Sequence, residues 1–155
     1  MSQENVEIVK ALFESVGEGD FTLFARDDDM WAAWAEAVPF LHQDVESVAR
    51  DPVVGGTSYL GPDGLRAMWL DWVAPWVTWR ATVEEVIDLG DRVLVLGRAF
   101  GLLEGGRAEV EATVASVWTV REGKIARIEY YSKRAEALEA VGLSEQDAHW
   151  RTSPS

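Results

Sequence analysis

The chain has 155 residues, of which 48% are hydrophobic and 26% charged, a composition typical of one globular domain and not of a disordered or collagen-like chain. Its 27 acidic and 14 basic side chains give a formal net charge of −13, which would repel nucleic acid and anionic membrane surfaces. Cysteine is absent, which excludes disulfides, thiolate nucleophiles and cysteine-ligated metal sites.

The N-terminal sequence lacks the basic flank and apolar stretch of a secretory signal. No window of the sequence approaches the roughly 18 uninterrupted apolar residues of a membrane-spanning helix. We therefore expect a cytoplasmic protein that binds neither a membrane nor nucleic acid.

Three helices are predicted in the N-terminal part of the chain. In residues 3–16 the apolar side chains recur every three or four positions, which is typical of an amphipathic helix, and Ser2 is available as its N-cap. Asp20 is expected to cap a second, short helix. A third helix follows the acidic run 27–29, which serves as a cap, and ends before Pro39.

The middle of the chain is predicted to form a strand, a loop and a fourth helix. The strand covers residues 45–50, and residues 51–62 read as a loop because turn-forming residues are frequent there. The helix begins at residues 61–63 and ends near Pro75. Three tryptophans are expected to share one face of this helix: Trp69, Trp72 and Trp76.

From Thr78 onward the apolar period changes to two, which indicates antiparallel strands joined by glycine-containing turns. The predicted strands are 78–88, 92–103, 107–120 and 124–132. A short last helix covers residues 134–141. This order predicts an α+β domain in which a curved antiparallel sheet wraps the N-terminal helices and leaves its other face open. We expect one domain over residues 1–143, with 144–155 as a C-terminal tail.

Four segments carry a further pattern: ENVEIVKALFESVGEGD (4–20), YLGPDGLR (59–66), VEEVIDLGDRVLVL (83–96) and VWTVREGKIARI (117–128). They resemble the SnoaL-like family of the nuclear transport factor 2-like superfamily, relatives of polyketide cyclases and ketosteroid isomerases. The resemblance implies a cone-shaped, cystatin-like sheet with an apolar pocket at its wide end. It also implies cofactor-independent acid–base chemistry, such as cyclisation, isomerisation, dehydration or epoxide opening, on a small hydrophobic molecule. The alternatives are a binding module without chemistry and a dimeric interaction scaffold.

Asp51 is the candidate general base. It ends the first strand in an Asp-Pro-Val sequence similar to the one that carries the base of ketosteroid isomerases. Partial desolvation in a pocket would raise the pKa of such a carboxylate toward the range useful for moving protons. The alternative is that Asp51 and Pro52 simply start a turn.

Arg98 is the candidate electrostatic partner of that base. It alternates with apolar side chains in a single row of its strand: Leu94, Leu96, Phe100 and Leu102. Either this row faces the pocket, where Arg98 could bind an acidic substrate or polarise a carbonyl or epoxide oxygen, or it faces a dimer contact with Arg98 at the rim. The resemblance favours the inward orientation.

The oxyanion donors of ketosteroid isomerases are not preserved. Leu12 lies near the position of their first-helix tyrosine and Ser116 replaces their strand acid, which disfavours steroid isomerisation. Tyr130 alternates with Ile128 on the expected inner side of the last strand. Its hydroxyl could supply a replacement catalytic donor, or Tyr130 could be a hydrogen-bonded core residue.

The candidate ligand-binding residues are His42, Trp69, Trp72, Ser116 and Trp118. His42 precedes the first predicted strand and lies near the pocket mouth in the implied fold, although a lone histidine is more often structural. The indole rings suit a flat hydrophobic ligand, and as a simpler alternative they fill the core.

No cofactor, metal site or nucleotide is expected. The sequence has no phosphate loop, dinucleotide-binding fingerprint, serine-hydrolase elbow or zinc-protease motif. An antiparallel sheet with one open face commonly meets a second copy of itself, so we expect a homodimer through that face.

Overall fold

The computed structural model describes residues 2–17, 19–37, 40–51 and 55–143, without the side chains of residues 2, 37, 50, 51 and 55–57. The described elements follow one another as α1 (Ser2–Val16), α2 (Phe21–Arg26), α3 (Asp28–Ala37), β1 (Leu41–Asp51), β2 (Gly55–Leu60), α4 (Gly61–Val73), β3 (Trp76–Asp88), β4 (Arg92–Leu103), β5 (Val110–Arg121), β6 (Lys124–Tyr131) and α5 (Arg134–Ala140). Pro39 and the predicted tail 144–155 lie outside the described residues.

The six described strands form one curved sheet in the order β2-β1-β6-β5-β4-β3. Neighbouring strands are antiparallel, with the exception of the parallel pair β1 and β6. The sheet does not close into a barrel, because β2 and β3 are its two edges. The predicted α+β class, with N-terminal helices wrapped by the sheet, is confirmed.

The curvature of β3 and β4 depends on glycine. The register of β3 shifts between Val83 and Glu85, opposite Gly97 of β4. A Cβ atom at Gly97 would lie 2.2 Å from the carbonyl oxygen of Thr82, so no larger residue fits without backbone movement. Bulges of this kind bend a strand and increase its twist, and here the bend turns the sheet over the helices.

Two acidic caps place the short helices as predicted. The Asp20 carboxylate accepts hydrogen bonds from the backbone N–H of Thr22 (3.0 Å) and of Trp79 (3.1 Å), so the cap of α2 also ties this helix to β3. The Asp27 carboxylate accepts from the backbone N–H of Met30 at 2.9 Å and caps α3. Side-chain acceptors at these positions satisfy amides that have no partner within the helix.

Three differences from the predicted elements lie in the middle of the chain. Strand β1 begins at Leu41 instead of residue 45. Part of the predicted loop 51–62 forms β2, because pairing with β1 supplies hydrogen bonds that override the low strand propensity of glycine. Helix α4 ends at Val73, so Trp76 begins β3 and does not share a helix face with Trp69 and Trp72.

The sheet has apolar packing on both faces. Helices α1, α2 and α4 pack on the inner face, around Leu12, Met68 and Trp118. Helix α5 places Leu138 on the outer face against a second apolar cluster that contains Leu96. The predicted open face is therefore only partly open, because α5 covers one section of it.

Candidate functional site

An apolar cavity of about 100 Å³ lies between α1, α4 and the inner face of strands β3 to β6. Its wall is mainly aromatic, with contributions from Phe13, Phe21, Trp69, Trp72, Trp79 and Tyr130. Val95 and Gly97 of β4 line the opposite side. Because Gly97 has no side chain, it both permits the bend of the sheet and leaves free space in the cavity.

Helix α4 and strand β3 supply the tryptophans of the wall. Trp69 and Trp72 lie three residues apart, on one face of α4. Phe21 packs edge-on against Trp69 at a ring-centroid distance of 5.1 Å and against Trp79 at 5.7 Å. Tilted and edge-to-face contacts of this kind stabilise aromatic clusters beyond simple burial.

Two hydroxyl groups that accept hydrogen bonds from buried indoles line the cavity. Ser116 of β5 pairs in register with Tyr130 of β6, and both residues line the cavity. The indole N–H of Trp118 donates to Ser116 Oγ at 2.7 Å, and the indole N–H of Trp69 donates to the Tyr130 hydroxyl at 3.1 Å. Burial raises the pKa of Tyr130, and the hydrogen bond from Trp69 opposes this rise only in part, so the phenol is neutral near pH 7.

The structure thus brings five of the predicted site residues together. Trp69, Trp72, Ser116 and Tyr130 line the cavity. Trp118 lies behind Ser116, is fully buried, and packs against Tyr130 at a ring-centroid distance of 5.9 Å.

The inward orientation expected for Arg98 is wrong. Since Val95 and Gly97 line the cavity, Arg98 lies on the opposite face of β4. Its Nε donates to Glu84 at 3.1 Å and its Nη1 donates to Glu111 at 2.6 Å, and these two carboxylates raise the pKa of the guanidinium. Leu94 and Leu96 of its row pack in the apolar cluster under helix α5, on the face away from the pocket.

His42 also lies away from the cavity. It belongs to β1 instead of preceding the first strand, and it lines a separate polar recess with Asp44, Arg121 and Glu122. Its Nδ1 accepts a hydrogen bond from the backbone N–H of Asp44 at 2.9 Å. Arg121 pairs with the first residue of β6, whereas Tyr130 lies near the end of that strand, on the order of 20 Å away.

Asp51 can be placed only by its backbone. It ends β1, pairs with Gly55, and follows Ala49 by two residues, and Ala49 pairs with Tyr130. Its side chain lies outside the described part of the chain, as do Pro52 and Val53. The role of Asp51 as a base therefore stays a prediction.

Sequence reasoning missed Phe21, Trp79 and Gly97 as parts of the cavity wall. Gly97 gave a usable signal, because a glycine within a strand otherwise rich in valine and leucine marks a bend or a close backbone approach. Trp79 gave one too, because Trp79, Ala81 and Val83 alternate with polar side chains, and their pairing with β4 is regular up to the bulge after Val83.

Among the described side chains, no group of three or more histidines, aspartates and glutamates lies close enough together to hold a metal ion. None of the described helices combines the length and apolar character that a membrane-spanning helix requires.

Solved structures share this fold. A putative SnoaL-like polyketide cyclase from Jannaschia sp. CCS1 is 20% identical with a TM-score of 0.63, over 99% of this chain and 94% of that one. TerC co-crystallised with polyporic acid is 23% identical with a TM-score of 0.62, over 89% and 98%. A protein with a ketosteroid isomerase-like fold from Catenulispora acidiphila DSM 44928, in complex with trimethylamine, is 17% identical with a TM-score of 0.58, over 88% and 93%. At these identities the similarity shows the fold alone.

No curated protein matches the sequence. The family model described as a SnoaL-like domain matches residues 9–128, which is well over half of the chain. The chain belongs to the SnoaL-like family.

Proposed function

We propose that this protein binds a small hydrophobic molecule in the cavity between α4 and the inner face of the sheet. The aromatic wall around two hydroxyl groups is the observation that carries this proposal. Ligand sites in proteins are mostly apolar clefts with a few placed polar groups. An apolar cavity of roughly 150 Å³ accommodates benzene, so this smaller cavity, about 100 Å³ in volume, suits a molecule that places at most one ring inside and keeps the remainder at its mouth.

Two relatives of the same fold support a ring-containing ligand. One is described as a putative SnoaL-like polyketide cyclase, and the other was crystallised with polyporic acid. Several indole and phenyl faces in one wall would contact such a molecule over much of its surface.

The second candidate function is cofactor-independent acid–base chemistry on the bound molecule. The Tyr130 hydroxyl favours it, because it lines the cavity and burial raises its pKa, so it stays protonated and can donate a hydrogen bond to a developing oxyanion. The backbone of β1 carries Asp51 to within two residues of the position that pairs with Tyr130. Asp51 would remove a proton from the ligand and Tyr130 would stabilise the oxygen that becomes negatively charged. Arg98 takes no part, because it lies on the other face.

Ligand binding is tested by titrating the full chain with single-ring and two-ring aromatic compounds while following tryptophan fluorescence. Val114 lines the cavity, and its neighbour Thr113 is exposed. Val114→Phe fills the cavity and should weaken binding at least about tenfold, which corresponds to about 1.4 kcal/mol. Thr113→Phe adds the same ring to the adjacent position of β5 and should leave affinity unchanged. Equal binding by the two variants would contradict the proposal.

Catalysis is tested with acetophenone in D₂O, where NMR follows hydrogen–deuterium exchange at the carbon next to the carbonyl. An active site with Asp51 as base and Tyr130 as donor should accelerate this exchange above buffer, typically by 10²–10⁴-fold for a positioned proton-transfer group. Asp51→Asn should abolish the acceleration and retain binding. Binding without any acceleration in the unmodified protein would leave the binding module as the function.

A further inference from the structure

We infer that Trp69 and Trp118 are positioning residues that make the Tyr130 and Ser116 hydroxyls hydrogen-bond donors toward the cavity, so that the cavity selects hydrophobic molecules with a neutral acceptor oxygen. The inference rests on the proposed binding function and specifies the ligand class. It follows from the two indole–hydroxyl hydrogen bonds and from the surroundings of each hydroxyl.

The indole hydrogen bonds determine the direction of the two hydroxyl protons. A hydroxyl group carries one proton and two lone pairs, whereas an indole N–H can only donate. Ser116 Oγ accepts from Trp118, and the Tyr130 hydroxyl accepts from Trp69. A lone pair of each hydroxyl oxygen is therefore occupied by the indole N–H, and the hydroxyl's own proton must point away from that indole.

The two hydroxyl protons point toward the cavity. Among the described residues, neither hydroxyl has an acceptor within hydrogen-bond distance, and both residues line the cavity. A buried donor without a partner is costly, roughly 1–3 kcal/mol, so a ligand that accepts from it is favoured over one that does not.

Both indoles are held rigidly by the core. Trp118 has no exposed surface and packs edge-on against Phe13, at a ring-centroid distance of 5.2 Å. Trp69 is 4% exposed and packs among Phe21 and Trp31. Since neither indole can rotate without opening the core, both hydroxyls keep their donor orientation.

The cavity lining favours an uncharged ligand. No described lining residue carries a positive charge, and a carboxylate in this cavity would be buried without a counter-ion. Burial keeps Tyr130 protonated, so it donates and does not bind a cation as a phenolate. The favoured class is therefore a ketone, an aldehyde or another neutral carbonyl compound on a small aromatic frame.

The test compares four small probes by titration calorimetry on the full chain. Acetophenone and α-methylstyrene have the same shape and differ by a carbonyl oxygen against a methylene group, indole carries only a donor, and benzoate carries a charge. We expect acetophenone to bind about tenfold more tightly than α-methylstyrene, and indole and benzoate to bind more weakly than acetophenone. The carbonyl stretch of bound acetophenone should shift to lower wavenumber.

Variants separate positioning from packing. Trp69→Phe and Trp118→Phe remove the N–H, so the released hydroxyl can accept, and the preference for acetophenone over indole should fall about three- to tenfold. Trp72→Phe is the matched control: it removes an indole from the same wall, but Trp72 makes no described hydrogen bond to either hydroxyl, so the ratio should stay constant. Tyr130→Phe should move the carbonyl stretch back toward its free value.

The outcomes distinguish this inference from the proposed function. If acetophenone and α-methylstyrene bind equally well, the inference is wrong and the hydrophobic site stands. If no probe binds, the proposed function fails and the inference with it. Should Trp118→Phe not fold, as judged by circular dichroism, Trp69→Phe and the carbonyl stretch decide the question.

Discussion

The two faces of strands β4 and β5 use neighbouring residues for opposite purposes. On the inner face, Val95 and Ser116 are each 4% exposed, and Ser116 accepts a hydrogen bond from the buried indole of Trp118. On the outer face, the Arg98 side chain is 47% exposed and pairs with Glu84 and Glu111. The comparison teaches that the charged side chains of these strands lie on the solvated face, whereas the inner face presents neutral hydroxyls to the cavity.

The outer face is itself divided. Near α5 it is apolar and buried, and farther along the strands it carries ion pairs and a cation–π contact of Arg80 over Phe100 at 4.3 Å. Arg80 also pairs with Glu109 at 3.5 Å. Exposed ion pairs of this kind contribute little to stability, whereas changes on the tightly packed inner side are costly. Three predictions test this difference.

The largest effect is expected at Gly97, where the inner face closes on its neighbour. Gly97→Ala places a Cβ atom 2.2 Å from the carbonyl oxygen of Thr82, which is backbone and cannot move cheaply. We expect a loss of about 1–3 kcal/mol in the free energy of unfolding, measured by urea denaturation.

Gly19→Ala is the matched control for this substitution. No atom lies within 4 Å of an added Cβ at Gly19, so the change should be neutral or slightly stabilising. Equal effects at the two glycines would show that the close approach of β3 and β4 does not restrict residue 97.

The sequence predicted the elements whose signals are local. Helix α1 follows from its apolar period, and the hairpins of β3 to β6 follow from alternation and glycine turns. Strand β2 could not be predicted in this way, because its residues are turn formers that become a strand only by pairing with β1. The parallel pairing of β1 with β6 depends on the whole sheet and has no local signal.

The site was predictable where polar residues mark one row of a strand, as Glu111, Thr113 and Thr119 do in β5. In β5 and β6 alternation correctly placed Ser116, Trp118 and Tyr130 on the inner side. In β4 both rows are apolar, because Val95 faces the cavity and Leu96 packs under α5. Alternation then cannot distinguish the two faces, which is the physical reason that the orientation of Arg98 was wrong.

An intermediate effect is expected from Tyr130 at alkaline pH. In the unfolded chain a tyrosine loses its proton near pH 10, whereas burial raises the pKa of Tyr130 in the folded protein. The unfolded state therefore binds fewer protons above pH 10, so stability is full below this pH and falls by about 1 kcal/mol per pH unit above it. Urea denaturation between pH 9 and pH 11.5 should show this decline, and Tyr130→Phe should reduce it.

Tyr59 provides the comparison for this measurement on the edge strand β2. Its hydroxyl donates to Asp71 of α4, and this hydrogen bond raises the pKa of Tyr59 to about 12. Tyr59→Phe should remove a further part of the alkaline decline, and the double variant should show the smallest slope. An unchanged slope in Tyr130→Phe would mean that its hydroxyl is open to water.

The smallest effect on folding is expected at Arg98, on the outer face. Arg98→Gln should leave the urea midpoint unchanged within error, because exposed ion pairs are screened by water and salt. A large loss of stability in Arg98→Gln would contradict the exposed position of the side chain.

The homodimer through this face stays a prediction, and a second substitution at Arg98 tests it. Arg98→Glu adds a like charge beside Glu84 and Glu111, so sedimentation velocity should show a weaker dimer if this face is the interface. If Arg98→Glu forms the dimer as well as the unmodified protein does, the interface lies elsewhere.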